Sequence, residues 1–275
     1  MLWAADPPPG SLIKACADGD VKAAAALVKA GADVNQTGDD GETPLLLAAR
    51  KGSVALMKLL VAAGANSQAR RGNGETLLHA AVSSGRLDAV KLVLEKDVPV
   101  NERESRRGQT ALHYAAGDGR VEIVRLLLEH HAEPDAKSKT GITPFWLAVQ
   151  GAHKETAAVL LAAGADAELA GTAGARPIHL AARSCQAPVL ELLLSAHVDL
   201  NPKGPQGMTP LLVAVSQNCV SAVKTLVAAG ADVTAKDGRG QTAIDYARRR
   251  RAKEILAYLE ERKSSNPQQE SKSEK

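Results

Sequence analysis

The chain reads as an all-α solenoid of stacked helix–turn–helix units, and two observations carry that reading. The first is a repeat. Gly-x-Thr recurs at Gly41, Gly74, Gly108, Gly141, Gly207 and Gly240, and Gly174 keeps the glycine ahead of Ala175-Arg176. The steps between these glycines are 33, then 34, then 33 throughout, and a fixed period of that size marks a stacked array. The second is composition. Hydrophobic residues make up 45% of the 275, yet aromatics only 2%, so the core must be Ala, Leu and Val. That suits helices stacked closely in a row better than one globular centre.

Taken in order, residues 1–10 (MLWAADPPPG) form a short N-terminal extension, because Pro7-Pro8-Pro9 cannot be helix interior. They also lack the basic start and apolar run of a signal peptide. Residues 11–37 are a first repeat without the Gly-x-Thr signature. Its phase is set by Gly31, 33 residues before Gly64, and Lys14, Asp18, Asp20 and Lys22 give it the polar outside of a cap. Full repeats start near 41, 74, 108, 141, 174 and 207.

Within each, Thr is placed to cap a first helix, with Pro at its first position in Thr43-Pro44, Thr143-Pro144 and Thr209-Pro210. Leu112, Ala115 and Ala116 give that helix a small, close-packing face, and Gly52, Gly85 and Gly119 break it. The second helix is apolar at Val121, Val124, Leu127 and Leu128, a spacing of three and four. It ends at Gly64, Gly164 or Gly230, where a left-handed residue is needed. Asp97, His131 and His197 take that slot in three repeats, and both types tolerate positive φ better than most. The one extra residue falls in 101–107, at a hairpin tip, where it disturbs the stack least. The 174 repeat departs from the pattern at Arg176, Cys185 and Pro188 and is expected to be weak. Residues 240–262 are a basic C-terminal cap repeat, and 263–275 (KSSNPQQESKSEK) are expected to be a disordered tail.

Thr-Pro-Leu-x-x-Ala-Ala in Thr43–Ala49, Leu-His-Ala-Ala in Leu78–Ala81 and Ala-Gly-Ala-Asp-Val-Asn in Ala30–Asn35 resemble ankyrin repeats over about residues 11–262. The resemblance implies helix pairs joined by short β-hairpin-like loops whose tips project to one side, with the first helices lining the same concave face. It implies a non-enzymatic protein-interaction module of adaptor, inhibitor or assembly-chaperone type. The alternative is a regulatory or substrate-recruiting subunit of a separate enzyme, such as a ubiquitin ligase. It also implies that His79, His113 and His179, which share one repeat position, bridge neighbouring repeats rather than bind a metal. Asn35 and Asn201 fall where asparaginyl hydroxylases modify similar proteins. Each has an acid two residues before (Asp33, Asp199) and a Leu eight before (Leu27, Leu193).

No catalytic constellation is expected. His130-His131 lacks partners at metal-ligand spacing, Gly117-Asp118-Gly119 is an inter-helix turn rather than a phosphate loop, and Asp39-Asp40-Gly41 is too short for a calcium loop. The reading is therefore no enzyme, no cofactor, no metal and no small-molecule substrate. The apolar runs are too short for a membrane span. A net charge of +3 and few aromatics argue against nucleic-acid binding through the tips. Cys16, Cys185 and Cys219 read as scattered thiols in a reducing, cytoplasmic setting. Arg248–Arg251 reads as a solvated cap turn or, alternatively, a nuclear import signal.

The tips are where a partner would touch. The first is acidic (Thr37, Asp39, Asp40). The next three are basic: Arg70, Arg71 and Asn73; Arg103, Arg106 and Arg107; Lys137 and Lys139. Two readings stand: charge for solubility, or a basic strip facing an extended acidic segment of a protein partner. Trp146, beside the strip, is either an interface anchor or a filler between repeats. Polar caps at both ends predict a monomer, and helices stacked about 8–10 Å apart give a length of roughly 60–80 Å.

Overall fold

The computed structural model describes residues 11–96 and 98–265. The expected N-terminal extension, Asp97 and residues 266–275 of the expected tail lie outside them. The described residues form sixteen α-helices and no strand, and the chain divides into two compact units, Met1–Lys139 and Thr140–Lys275.

The first unit contains α1 (Ser11–Asp18), α2 (Val21–Lys29), α3 (Pro44–Lys51), α4 (Val54–Ala62), α5 (Leu77–Ser84), α6 (Leu87–Leu94), α7 (Ala111–Gly117) and α8 (Val121–Glu129). Each odd-numbered helix packs on its even-numbered successor. The odd helices form one row, α1 on α3 on α5 on α7, and the even helices a second, α2 on α4 on α6 on α8. The second unit repeats the scheme with α9 (Pro144–Gln150), α10 (Lys154–Ala162), α11 (Pro177–Arg183), α12 (Ala187–Ser195), α13 (Pro210–Ser216), α14 (Val220–Ala228), α15 (Ala243–Arg250) and α16 (Lys253–Ser265). The last helix runs three residues past 262, so 263–265 are helical and not part of a disordered tail.

Alanine lets the odd row stack. Ala48, Ala49, Ala81, Ala115, Ala116, Ala148, Ala181, Ala182 and Ala214 are fully buried, and a larger side chain would push neighbouring first helices apart. The second helices supply bulk, with Leu56, Leu60, Val90, Leu127, Leu160, Leu190 and Leu226 buried between the rows. The threonines cap as expected. Oγ1 of Thr43, Thr143 and Thr209 accepts the backbone N–H three residues on, at 3.3, 3.2 and 3.4 Å, with proline at the first helical position. Arg176 offers no hydroxyl. There the backbone N–H of Arg176 donates to Nδ1 of His179 at 3.1 Å, and the guanidinium pairs with Glu168.

The helix-two terminal slot is left-handed at His131 (φ 62°) and His197 (φ 56°), as at the glycines it replaces. His197 is exposed. Changing it to Gly is expected to leave the protein equally or more stable, because relief of about 1 kcal/mol of left-handed strain outweighs glycine's greater freedom in the unfolded chain. Urea melts of the two proteins decide it; a clear loss of stability would give His197 another role.

Candidate interaction surface

Successive tips are bonded to one another through the backbone. In the first unit Gly72 N–H donates to Asp40 O (2.5 Å), Ser105 to Asn73 O (2.7 Å) and Lys139 to Arg107 O (2.8 Å). In the second, Gly238 donates to Gln206 O (2.9 Å). Asparagine adds a second tie. Asn35 Nδ2 donates to Gly64 O (3.2 Å) while its Oδ1 accepts from Asn66 N–H (2.7 Å). Asn101 does the same with His131 O (3.1 Å) and Glu133 N–H (2.9 Å), and Asn201 Oδ1 accepts from Asp232 N–H (2.8 Å). Glu168, in the equivalent position, accepts from Asp199 N–H (2.5 Å). The asparagines expected as hydroxylation positions are thus structural ties. The acid two residues before each holds its backbone N–H, Asp33 for Asn35 (2.8 Å) and Asp199 for Asn201 (2.9 Å). Asn101 belongs with them and was missed; the repeat period alone would have found it.

The aligned histidines work in the same direction. His79 joins Thr76 Oγ1 through Nδ1 (2.9 Å) and meets Gln109 O, on the next tip, through Nε2 (3.1 Å). His179 Nε2 meets both Pro202 O and Met208 O at 3.1 Å. Burial pushes both imidazoles below the ordinary histidine range, although the bonded carbonyls act in the opposite sense. Trp146 occupies this slot in the first repeat of the second unit. Its indole N–H donates to Ala175 O at 3.0 Å, the ring lies against Gly171, and the residue is only 5% exposed. The filler reading describes it; an interface anchor needs an accessible ring, and this one is buried.

The basic strip also changes. Arg70 is ion-paired with Glu102 at 3.0 Å, and the hydrogen bond holds the Glu102 carboxyl below its usual range. Arg71 lies between Glu75 (2.9 Å) and Glu42 (3.2 Å), with 17% of its side chain exposed. Burial raises the Glu75 pKa, but bonds from Arg71, Tyr114 and Asn73 outweigh it and leave the carboxyl below the ordinary range. Asn73 Oδ1 accepts Glu75 N–H at 3.1 Å within its own tip. The second tip is therefore neutralised. A sequence shows the arginines of one tip but not carboxylates from the tips on either side.

The third and fourth tips differ. Arg103, Arg106, Arg107, Lys137 and Lys139 are all exposed, and none is ion-paired among the described residues. The Arg103 guanidinium donates to Lys137 O and the Lys139 ammonium to Ser105 O, which positions two charges without cancelling them. Beneath them Glu104 is 2% exposed, and its carboxylate accepts the backbone N–H groups of Arg106 (2.6 Å), Arg107 (2.7 Å) and Gln109 (3.0 Å). That carboxylate shapes the enlarged tip from inside and turns the arginine side chains outward.

A sequence model of ankyrin repeats matches the chain three times, over residues 12–104, 97–171 and 178–270. The chain belongs to the ankyrin-repeat family. Ankyrin repeats are in general protein–protein interaction modules and typically non-enzymatic, and they bind protein partners. Among curated proteins nothing matches the chain. No helix of the described ankyrin repeats is long and apolar enough to cross a membrane. One expectation about the cysteines is overturned. Cys185 and Cys219, with Cα atoms 5.6 Å apart, are joined in a disulfide across two successive repeats, and only Cys16 is a free, buried thiol.

Proposed function

We propose that this chain is a non-enzymatic binding module whose third and fourth hairpin tips take an extended acidic segment of a protein partner. The observation that carries the reading is the five exposed, unpaired cations at Arg103, Arg106, Arg107, Lys137 and Lys139. They stand on two tips already locked together by the Lys139 N–H to Arg107 O bond. A surface held in this way loses little ordering entropy when a ligand arrives. Adaptor, inhibitor and assembly-chaperone roles all share this binding step.

Rim charges act mainly through association rate and salt dependence. Reversing Arg103, Arg106 and Arg107 to Glu is expected to weaken binding of an Asp/Glu-rich peptide about ten-fold at low salt and to flatten its salt response. Reversing Lys203 and Arg239, on tips of the second unit, is the control and should matter little. Fluorescence anisotropy with labelled peptide, and with a DNA duplex of equal charge as competitor, reads the result. Unchanged peptide binding by the triple variant, or preference for the duplex, would overturn the assignment.

A further inference from the structure

At α3 and α5 of the first unit the residue that ends the odd-numbered helix lies against the residue that opens the even-numbered helix of the next repeat. A Cβ added at Gly52 would meet the Arg86 side chain, and one added at Gly85 would fall on the Arg120 guanidinium. Arg86 and Arg120 are the N-cap residues of α6 and α8. Cys185 and Cys219 occupy the same pair of positions in the second unit. Cys185 is the left-handed residue after α11 (φ 57°), and Cys219 is the N-cap of α14. The register of the stack therefore brings the two sulfurs together, with no special loop geometry, and the Cα separation of 5.6 Å is what a disulfide requires.

The two cysteines are not equivalent. Cys185 is exposed, whereas Cys219 is 4% exposed beneath it. The repeat they fasten is the irregular one, with Arg176 in place of the capping threonine and Pro188 in the first turn of α12. We infer that Cys185 and Cys219 are a reversible thiol–disulfide site that a low-molecular-weight disulfide of the glutathione class closes and a thiol of the same class opens, fastening α11–α12 to α13–α14. In closing, the Cys185 thiolate attacks glutathione disulfide; that S–S bond breaks, a mixed disulfide forms and one glutathione thiolate leaves. The Cys219 thiolate then attacks the Cys185 sulfur and expels the second. Two protein thiols are oxidised, one glutathione disulfide is reduced to two thiols, and the two protein protons pass to solvent and the departing thiolates. Opening is the reverse, entered at the exposed Cys185.

The test uses the full chain, reduced and then equilibrated in glutathione buffers of increasing oxidised fraction. Peptide mass mapping is expected to find Cys185 linked to Cys219 and Cys16 unlinked. Cys219→Ala should stop at one glutathione on Cys185, and Cys185→Gly, which restores the residue the repeat pattern places there, should take up none. Amide exchange over α11–α14 should slow about ten-fold on closure while α3–α6 stay unchanged. Failure of wild-type protein to close in fully oxidised buffer, or equal exchange rates in the open and closed forms, would overturn the proposal. Exchange over the first unit reports independently that the chain is folded.

Discussion

Replacing Trp146 with Ala is expected to remove about 3–5 kcal/mol of stability, the usual range for deleting a buried tryptophan. Its ring is almost entirely enclosed, and its N–H is the link from α9 to the carbonyl of Ala175 ahead of α11. Removing it opens a cavity between adjacent repeats and leaves that carbonyl with the Gly171 N–H (3.0 Å) but without the bond from α9. Because repeat stability is a sum of local terms and neighbour interfaces, the loss should appear as earlier melting of the second unit. Trp146→His should recover part of it, since His79 and His179 fill the same slot with a ring nitrogen at the equivalent carbonyl. Urea unfolding followed by far-ultraviolet dichroism separates the variants. A Trp146→Ala protein as stable as wild type would mean that the ring is not packed as described.

Glu104→Ala should lose about 3 kcal/mol, since three backbone donors lose a buried, charged acceptor at once. Two of them, at Arg106 and Arg107, lie in exposed residues and can turn to water; Gln109 is buried and cannot do so freely. Glu104→Asp is the sharper variant. In the last tip Asp237 does the same work, accepting from Arg239 and Gln241 N–H at 2.8 Å each. That loop is one residue shorter between the acid and the glutamine. The extra methylene of Glu104 thus matches the inserted residue, and Asp at 104 should fall short and lose most of what Ala loses. Equal stability of Glu104→Asp and wild type in the same melts would refute this account.

The fold was legible because its signals are periodic. Thr43, Thr143 and Thr209 cap where the phase puts them, and His131 and His197 take the left-handed slot that the spacing assigns. The surface was legible only as residue types. Arg71 is paired with Glu42, in the preceding repeat, as well as with Glu75 four residues on, and Arg70 with Glu102, on the following tip. Both are set by rotamers that no periodicity encodes. Trp146 was ambiguous because a tryptophan can fill a gap or offer a face, and only the position of Ala175 O decides between them. The cysteine pair was more accessible than it looked. A separation of 34 joins the end of one first helix to the start of the next second helix, the relation that Gly52 has to Arg86.

The arginine covering Gly85 also sets which substitutions the chain can absorb. Gly85 is constrained twice, by its left-handed backbone (φ 72°) and by a neighbour occupying the space of any side chain. Gly64, Gly164 and Gly230, at the ends of second helices, are constrained by backbone alone, with nothing within 4 Å of an added Cβ. Histidine has entered that open class at 131 and 197, at the cost of some strain and no collision. The covered class admits a side chain only when the residue opposite is remade with it, as at Cys185, where the partner in the next repeat is itself a cysteine. Drift at Gly52 and Gly85 is therefore tied to drift at Arg86 and Arg120, so these positions should vary in pairs across a lineage, while the open glycines vary alone.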